Sequence, residues 1–426
     1  MQPTLFETEP QAKYLGSPSD LLNDLAGFRF HGRTTAVKDL AIEDAPVTPS
    51  FTNEFWTAKQ RAAHSLHEIS YRACFKPQLP RFFIERLTQP GELVYDPFMG
   101  RGTTILEAAL LGRHVAGNDI NPLSKILSRP RLHPPDVARL EKRMAEIDLA
   151  DHDEFPEELL VFYHPETLRE ICALKKYFAR RVRTETIDHV DRWIRMVAVN
   201  RLSGHSPGFF SVYTLPPNQA VTAKKQAEIN AQRNQSPPRR DVRTIILKKS
   251  RTLMSDCDVG TMKALSTARK KAKFLTSLAE QTPGLRSNSV ALVVTSPPFL
   301  SIVDYARDNW LRCWFCGIEA DAVPITSSSA VSAWSGVMLA SLKELKRVLK
   351  PGGYIAFEVG EVRKASLNLD EVMIPVGVLA GLEPVLVLVN KQKFTKTANC
   401  WGVGNNEGGT NSNRVVLFRK PAPECH

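Results

Sequence analysis

The sequence predicts an α/β protein with a mostly parallel, Rossmann-like sheet that carries helices on both faces. Short apolar runs rich in β-branched residues alternate with helical segments, both before residue 130 and after residue 285. The run 290–295 ends in a Ser-Pro-Pro-Phe turn, and the run 92–95 ends in a glycine-containing loop that opens a helix. Because open parallel sheets bind ligands at the carboxyl ends of their strands, we expect the functional site at these two junctions.

The composition predicts a soluble, cytoplasmic protein. Hydrophobic residues make up 43% of the 426 residues and charged residues 24%, which is the balance of a globular chain. The first residues have neither a basic start nor an apolar run, and no later stretch approaches the roughly 20 apolar residues of a membrane span. Seven cysteines without a dense framework fit a reducing compartment. Cys313 and Cys316 form a CxxC pair without a second pair or a nearby histidine, so we predict core packing and no metal.

The net charge of +11 is concentrated in one segment. Residues 201–275 contain 15 Lys/Arg and four Asp/Glu, whereas the rest of the chain has 41 of each. Such a block is either a solvated surface or a site for a polyanion, and we favour nucleic acid. Aromatic and amide side chains at 204–219 suit contacts with base edges. The residues predicted to bind DNA are Arg239, Arg240, Arg243, Lys248, Lys249 and Arg251.

The rhythm of strands and helices divides the chain into four parts. Residues 1–54 contain turn formers and no clear period, which predicts an N-terminal extension. Residues 55–132 and 286–426 carry the strand–helix alternation and are predicted to form two halves of one α/β domain. Residues 133–285 interrupt the alternation and are predicted to be an inserted, mainly helical recognition region. Its amphipathic helices are predicted near 136–147, 165–182 and 186–202.

The loop 96–103 has the composition of a ligand-binding turn. Glycines between a strand and a helix let the backbone approach a ligand, and the first turn of the helix offers free amide donors. Asp119 follows the strand 114–118, where an acidic side chain is placed to accept hydrogen bonds from a ribose diol. The glycine spacing is FxGxG rather than GxGxxG. Loop and acid together indicate an adenosine-containing cofactor, and a purely structural unit with a solvent-facing Asp119 is the alternative.

The Ser-Pro-Pro-Phe turn offers the groups that an exocyclic amine on a planar base requires. These are the Ser296 hydroxyl, the rigid carbonyls of Ser296 and Pro297, and the aromatic face of Phe299. Acceptors that draw the amine hydrogens out of the ring plane make the nitrogen more nucleophilic, while Phe299 stacks on the extruded base. The alternative interpretation is a proline-stiffened strand end with a core phenylalanine.

With both motifs in view, the chain resembles the S-adenosylmethionine-dependent DNA amino-methyltransferases. The form Thr295-Ser296-Pro297-Pro298-Phe299 resembles the cytosine-N4 branch of type II restriction-modification systems, since the adenine-N6 branch more often has an acidic residue at the position of Ser296. The order of glycine motif, basic insert and catalytic motif resembles the alpha-type arrangement. This resemblance implies a class I methyltransferase sheet with an inserted target-recognition region, duplex DNA as the substrate, base flipping and direct in-line methyl transfer. It leaves open a cognate restriction endonuclease that acts separately.

The resemblance also implies roles for individual residues. The segment 71–77 is similar to an upstream cofactor motif, with Lys76 and Pro77 as its best match, and Asp119 is expected to bind the ribose hydroxyls. Phe299 departs from the many relatives that have tyrosine there, which keeps the stacking face and removes a hydroxyl. The other residues expected to contact the cofactor are Asp96, Pro97, Phe98, Gly100, Gly102, Thr103 and Thr295, and the catalytic turn is Ser296, Pro297, Pro298 and Phe299.

Three rival functions remain open at this stage. An RNA amino-methyltransferase would use the same turn and cofactor, although no RNA-binding module is recognisable in the sequence. An adenine-N6 methyltransferase differs only in the base that it accepts. A nucleic-acid-binding protein with an inactive methyltransferase fold would need a broken motif, and neither motif is broken.

Overall fold

The computed structural model describes residues 13–57, 63–71, 74–151, 154–214, 220–298, 305–320, 330–359, 361–362, 367–391 and 412–423. The strands are β1 (Arg29–Phe30), β2 (Arg33–Thr34), β3 (Ala36–Leu40), β4 (Thr48–Asn53), β5 (Leu93–Asp96), β6 (His114–Asn118), β7 (Lys273–Leu275), β8 (Val290–Thr295), β9 (Leu349–Val359), β10 (Glu361–Val362), β11 (Leu367–Asn368), β12 (Glu383–Lys391) and β13 (Ser412–Arg419).

The α-helices are α1 (Pro18–Gly27), α2 (Gln78–Leu87), α3 (Thr103–Leu110), α4 (Leu123–Ser128), α5 (Val137–Glu146), α6 (Pro165–Arg183), α7 (His189–Arg201), α8 (Ala223–Arg233), α9 (Val242–Leu253), α10 (Val259–Lys271), α11 (Tyr305–Asp308), α12 (Trp310–Cys316), α13 (Val331–Val348) and α14 (Leu369–Leu379). Short 3-10 helices span Ser65–His67, Arg129–Leu132 and Glu157–Val161. Within the described ranges, no helix combines the length and the apolar character that crossing a membrane would take.

A central sheet of nine strands has the order β3-β4-β12-β13-β9-β8-β5-β6-β7. The run from β9 through β8, β5 and β6 to β7 is parallel, and β13 is antiparallel to both of its neighbours. Helices from both halves of the chain pack on this sheet, so the predicted α/β architecture is confirmed.

The register aligns the carboxyl ends of the central strands. All six residues of β8 are buried, as expected for a strand covered on both faces by helices. Asp96 at the end of β5 lies opposite Gly117 of β6, and Thr295 at the end of β8 lies opposite Phe357 of β9. The residues that follow these strands therefore meet at one edge of the sheet.

Residues 36–53, which the sequence assigned to an N-terminal extension, form the outer edge of the central sheet. β4 runs parallel to β12, and β3 pairs with β4 in the antiparallel direction. The prediction of an extension is corrected here, and the physical reason is local. β3 is almost entirely exposed and so has no alternating apolar pattern, and Pro49 gives β4 the composition of a turn.

The inserted region shares its hydrophobic core with the sheet. The three predicted helices are present as α5, α6 and α7, with ends that differ by a few residues. Buried Trp193 and Met196 of α7 belong to the same cluster of apolar side chains as Val94 of β5 and Leu292 of β8. β7, which lies inside the segment 133–285, pairs with β6 in the sheet. The insert is therefore built into the α/β core and not attached to it as a separate body.

Candidate functional site

A cleft of about 1090 Å³, counting its open mouth, lies over the aligned strand ends. Its walls come from the loop after β5, the residues after β6, the turn after β8, the segment before α2, the loop after β7 and the start of α13. The lining residues are Tyr71, Cys74, Phe75, Asp96, Pro97, Phe98, Met99, Gly100, Arg101, Thr103, Asp119, Ile120, Asn121, Ser277, Leu278, Ala279, Glu280, Ser296, Pro298, Trp334, Val337 and Met338.

The two glycines of the loop after β5 have different roles. Both adopt left-handed backbone conformations, with φ of 48° at Gly100 and 74° at Gly102. Gly100 lines the cleft, whereas a Cβ atom on Gly102 would lie 2.2 Å from the hydroxyl oxygen of Ser128 at the end of α4. Gly102 thus allows α3 to begin against α4. Gly102 was predicted to contact the cofactor. In the structure it has this packing role and is not among the residues that line the cleft.

Asp96 is a buried carboxylate at the floor of the cleft. The Thr295 hydroxyl donates a hydrogen bond of 2.6 Å to Oδ1 of Asp96, and the Phe98 amide donates to the same oxygen over 3.1 Å. Burial outweighs these hydrogen bonds and raises the pKa of Asp96 to about 7. Thr295, predicted to contact the cofactor, instead orients Asp96 from the neighbouring strand.

Asp119 is held by two backbone amides. Gly100 donates to Oδ2 over 2.8 Å and Asn121 donates to Oδ1 over 2.9 Å. Burial raises the pKa of Asp119, and the two amide hydrogen bonds oppose that rise. Because an ionised carboxylate has about four acceptor positions, both oxygens keep capacity for hydroxyl donors from the cleft.

The turn after β8 presents its first and third residues to the cleft. Ser296 and Pro298 line the cleft, while Pro297 is buried behind them. The indole of Trp334 donates a hydrogen bond of 3.0 Å to the carbonyl oxygen of Pro298, which fixes the turn against α13. The predicted stacking residue, Phe299, lies outside the described residues. Sequence reasoning missed Trp334, because only the tertiary fold brings α13 to the turn.

An acidic residue that was not predicted, Glu358, lies beside Ser296. It is the penultimate residue of β9, is 8% exposed, and accepts a hydrogen bond of 2.6 Å from the Asn413 amide group. Burial raises the pKa of Glu358, and hydrogen bonds from Asn413 and the Ser296 side chain oppose the rise. The available signal was a charged residue in the otherwise apolar run 354–359.

Two buried arginines tie the upstream segment to the glycine loop. Arg101 donates to the carbonyl oxygen of Ile69 over 3.1 Å, and Arg131 donates to that of Leu66 over 3.3 Å and to that of Arg101. This segment continues to Tyr71, which lines the cleft. The link explains how a stretch 25 to 30 residues before the loop comes to form part of its binding wall.

The predicted upstream contacts shift within this segment. Tyr71, Cys74 and Phe75 line the cleft, whereas Lys76 and Pro77 are not among its lining residues. Pro77 immediately precedes α2, and burial followed by the charge of Arg101 lowers the pKa of Lys76. The side chains facing the cleft therefore lie just N-terminal to the pair chosen from the sequence.

The cleft residues fit S-adenosylmethionine. Asp96 would provide an anion for the ammonium group of its methionine part, and Asp119 would provide acceptors for its ribose diol. The side chains of Phe98, Ile120 and Leu278 would supply apolar surface for the adenine. The fit rests on this set of two carboxylates and apolar walls in one cleft.

Most of the basic residues predicted to bind DNA make internal contacts. Arg239 pairs with Glu166 over 2.8 Å and also contacts Glu170, Lys249 pairs with Glu68 over 3.2 Å, and Arg251 pairs with Glu141. Arg243 donates to the carbonyl oxygens of Met144 and Ile147 at the end of α5, over 2.8 and 3.2 Å. Arg240 is half-buried, with its backbone amide bonded to Thr167, and Lys248 is exposed. Part of the excess positive charge is therefore paired with carboxylates and carbonyl oxygens of the insert itself.

Comparisons with known proteins find similarity over parts of the chain. The pattern of a family described as DNA methylase matches residues 37–125. Type II methyltransferase M.MjaII of Methanocaldococcus jannaschii is 35% identical over 85 residues, which cover 20% of this chain and 16% of that relative. Type II methyltransferase M.MvaI of Kocuria varians is 34% identical over 112 residues, covering 25% of this chain and 23% of the relative.

A third relative matches a longer stretch of the chain at lower sequence identity. Type II methyltransferase M.BsoBI of Geobacillus stearothermophilus is 21% identical over 295 residues, which cover 64% of this chain and 57% of that relative. The chain therefore matches less than two thirds of the length of each of these relatives. The family match at 37–125 contains the glycine loop and Asp119, so the chain is similar to DNA methylases in the part that builds the cofactor side of the cleft.

Proposed function

We propose that the chain is a DNA amino-methyltransferase that uses S-adenosylmethionine and methylates the exocyclic N4 amine of cytosine in duplex DNA. The observation that carries this proposal is that Ser296 and Pro298 line the same cleft as Asp96, Gly100 and Asp119. A turn suited to an exocyclic amine and a loop suited to an adenosine cofactor thus face one space. The similarity of residues 37–125 to DNA methylases supports the same conclusion.

The chain's own residues hold the reactants. Asp96 binds the ammonium end of the cofactor, and Asp119, fixed by the Gly100 amide, binds the ribose hydroxyls. When bound, S-adenosylmethionine supplies an electrophilic methyl group on a sulfonium centre. Positioning and fixed dipoles provide most of the acceleration, for which effective molarities allow about 7 to 11 kcal/mol.

Ser296 and Glu358 provide a path for the proton that the amine loses. The Ser296 oxygen would accept one amine hydrogen, and the Ser296 side chain is hydrogen-bonded to the Glu358 carboxylate. When the methyl carbon leaves the sulfonium sulfur for the amine nitrogen, Ser296 would take up the amine proton and pass its own hydroxyl proton to Glu358. The raised pKa of Glu358 makes it a better proton acceptor than an ordinary carboxylate.

Adenine-N6 methylation is the second candidate. Cytosine and adenine both present a ring acceptor next to the exocyclic amine, so a neutral Ser296 suits either base. The serine in the turn favours cytosine through the family resemblance. The presence of Glu358 near Ser296 favours adenine no more than cytosine, because it contacts the hydroxyl and not the predicted base position.

The experiment is nucleoside mass spectrometry of long, unmethylated heterologous DNA incubated with the protein and isotopically labelled cofactor. We expect labelled N4-methyldeoxycytidine. Labelled N6-methyldeoxyadenosine would replace the cytosine assignment with the second candidate. Label found only in RNA offered in parallel would overturn the DNA assignment, and no label in either would overturn the enzyme assignment.

Two variants test the proton path in the same assay. Glu358→Gln keeps the size of the side chain and a hydrogen-bonding group but removes the base, and we expect a rate loss of about 100-fold or more, in the range of lost general-base catalysis. Ser296→Ala is expected to lose a similar factor. Unchanged transfer by Ser296→Ala would mean that the backbone carbonyls alone accept the amine hydrogens.

A further inference from the structure

We infer that Arg201 forms an anion site beside the cleft, which binds a backbone phosphate of the DNA strand that carries the target base. This inference rests on the proposed function and extends it from the reacting base to the strand. The Arg201 side chain is a buried guanidinium that the fold orients but does not neutralise.

Arg201 is held in one orientation by packing. It is the last residue of α7, and its Nε group donates to the backbone carbonyl of Asn200 over 2.8 Å. The guanidinium carbon lies 4.0 Å from the centre of the Phe209 ring. A Cβ atom on Gly204 would meet the same ring at 2.5 Å, so Gly204 and Arg201 both pack closely on Phe209.

The terminal amino groups of this guanidinium are left for a ligand. Within the described part of the chain, the hydrogen bond to Asn200 is the one that the Arg201 side chain makes, although the residue is only 8% exposed. By contrast, all three guanidinium nitrogens of the fully buried Arg131 donate hydrogen bonds to backbone carbonyl oxygens. A buried charge whose hydrogen-bond donors have no acceptor lowers the stability of the fold, unless a counter-ion binds to it.

The surroundings of Arg201 are cationic. Arg312 disfavours the charge of Arg201, and Arg201 in turn disfavours that of Lys249, with Glu68 as the nearby anion. Glu68 is already paired with Lys249 over 3.2 Å. Burial, followed by the charge of Arg312, lowers the pKa of Arg201 to about 10, so the group is still protonated at neutral pH. An anionic ligand relieves this repulsion.

The cluster is joined to the wall of the cleft. Arg312 donates to Asn309 over 2.7 Å and to the carbonyl oxygen of Ser70 over 3.4 Å, and its guanidinium carbon lies 5.9 Å from the Tyr71 ring centre. The Ser70 amide donates to the Asn200 side chain over 2.8 Å. Tyr71 lines the cleft. Arg201 is therefore connected to the Tyr71 wall of the cleft through Arg312 and through its neighbour Asn200.

A phosphodiester matches this site better than a point anion does. A guanidinium fork donates two parallel hydrogen bonds to an oxyanion, and phosphate contacts fix the register of DNA on a protein. One phosphate held beside the extruded nucleotide positions that nucleotide without reading its sequence.

The test compares Arg201→Met, which keeps the stem over Phe209, with Arg201→Lys and with Lys142→Gln. Lys142 lies on α5 with its side chain 80% exposed and serves as a matched loss of one charge. Affinity for a pool of random duplex DNA is measured by fluorescence anisotropy across a salt series, and affinity for S-adenosylmethionine by calorimetry.

We expect Arg201→Met to bind DNA about 10- to 100-fold more weakly, to reduce the log–log salt slope by about 0.9, and to bind S-adenosylmethionine as the parent does. Arg201→Lys should restore part of the slope, and Lys142→Gln should leave it unchanged. An unchanged slope in Arg201→Met, or an equal loss in Lys142→Gln, would overturn the phosphate site alone.

Two further results separate other ligands. Weaker binding of S-adenosylmethionine by Arg201→Met would assign the guanidinium to the cofactor. Saturable binding of inorganic phosphate that Arg201→Met abolishes, with the DNA slope unchanged, would assign it to a free anion. If the parent itself does not bind duplex DNA, the proposed function and this inference both fail.

Discussion

At the scale of single residues, burial sets the chemistry of the cleft. Asp96, Asp119 and Glu358 are carboxyl groups at the carboxyl ends of β5, β6 and β9 in the parallel part of the sheet, and burial raises the pKa of each. Each is also oriented by at least one hydrogen bond from the protein. These strand ends therefore hold carboxyl groups in fixed positions, as the proposed methyl transfer would require.

The first prediction concerns the ribose contact. Asp119→Ala removes the acceptors at the end of β6, and we expect its affinity for S-adenosylmethionine to fall by about 1.5 to 3 kcal/mol, the value of a hydrogen bond to a charged group. Calorimetry without DNA measures this loss. Asp119→Asn, which keeps one acceptor oxygen, should lie between the two. Equal affinity in Asp119→Ala and the parent would show that the ribose assignment is wrong.

The second prediction is a pH dependence set by Asp96. Its carboxyl group is protonated below about pH 7 and charged above it, and the charged form is the one that attracts the ammonium group of the cofactor. Affinity for S-adenosylmethionine should therefore rise as the pH increases from 5.5 through about 7 and level off at about pH 8. In Asp96→Asn the affinity should be lower and nearly independent of pH over this range, and a parental rise in that variant would assign the titration to another group.

The same shift in pKa affects stability in the opposite sense. The folded pKa of Asp96 lies above its unfolded value, so the contribution of this group to the free energy of unfolding is complete below about pH 4 and is lost as the pH rises through about 7. Relative to Asp96→Asn, the unliganded parent should lose on the order of 4 kcal/mol between these limits, measured by urea unfolding.

At the scale of elements, the cleft depends on links between segments that are distant in sequence. Trp334 of α13 holds the turn after β8, and Arg101 and Arg131 hold the segment 65–71 against the glycine loop. Each link is a side-chain donor satisfied by a backbone carbonyl of another element. Such links fix the walls of the cleft without taking part in the chemistry.

The third prediction tests the link through Arg101. Arg101→Met keeps the stem but loses the donors, so hydrogen exchange over residues 66–71 should become faster and affinity for S-adenosylmethionine should fall by about 1.5 to 3 kcal/mol. Arg86→Met is the control, because it removes a partly buried pair with Asp24, 3.0 Å long, at the far end of α2. Faster exchange in both variants would mean that general destabilisation, and not the link, is responsible.

At the scale of the whole molecule, the inserted helices and the sheet are one cooperative body. A continuous cluster of buried apolar side chains joins α7 and α9 of the insert to β5, β8 and β13. Trp193 belongs to the part of this cluster that the insert contributes. It is fully buried, and its indole donates a hydrogen bond of 3.0 Å to the Ser250 hydroxyl. The inserted region therefore cannot move as a rigid unit on a hinge without opening the core.

The fourth prediction follows from this shared core. Trp193→Ala leaves a large cavity and an unpaired Ser250 hydroxyl, and should lower the free energy of unfolding by about 3 to 5 kcal/mol. Circular dichroism and fluorescence of the remaining tryptophans should report one transition at the same reduced temperature. Two separated transitions, with only the first shifted, would show that the insert unfolds on its own.

The sequence by itself determined the α/β class, the central parallel strands and the two motifs. The strand at 290–295 and the loop at 96–103 are local patterns, since period, glycine content and proline position act over a few residues. They were enough to place Asp96, Gly100, Asp119, Ser296 and Pro298 at one edge of a parallel sheet, and these five residues line the cleft.

Only the tertiary structure decided what surrounds those motifs. Glu358 comes next to Ser296 through strand pairing, and Arg201 comes next to Arg312 through helix packing, across more than 60 and 100 residues of sequence. Basic residues that look alike in the sequence differ in the same way. Arg243 donates hydrogen bonds to carbonyl oxygens at the end of α5, whereas Arg201 makes one side-chain hydrogen bond within the described residues. The difference arises because burial and hydrogen-bond partners are properties of the packed chain and not of a residue type.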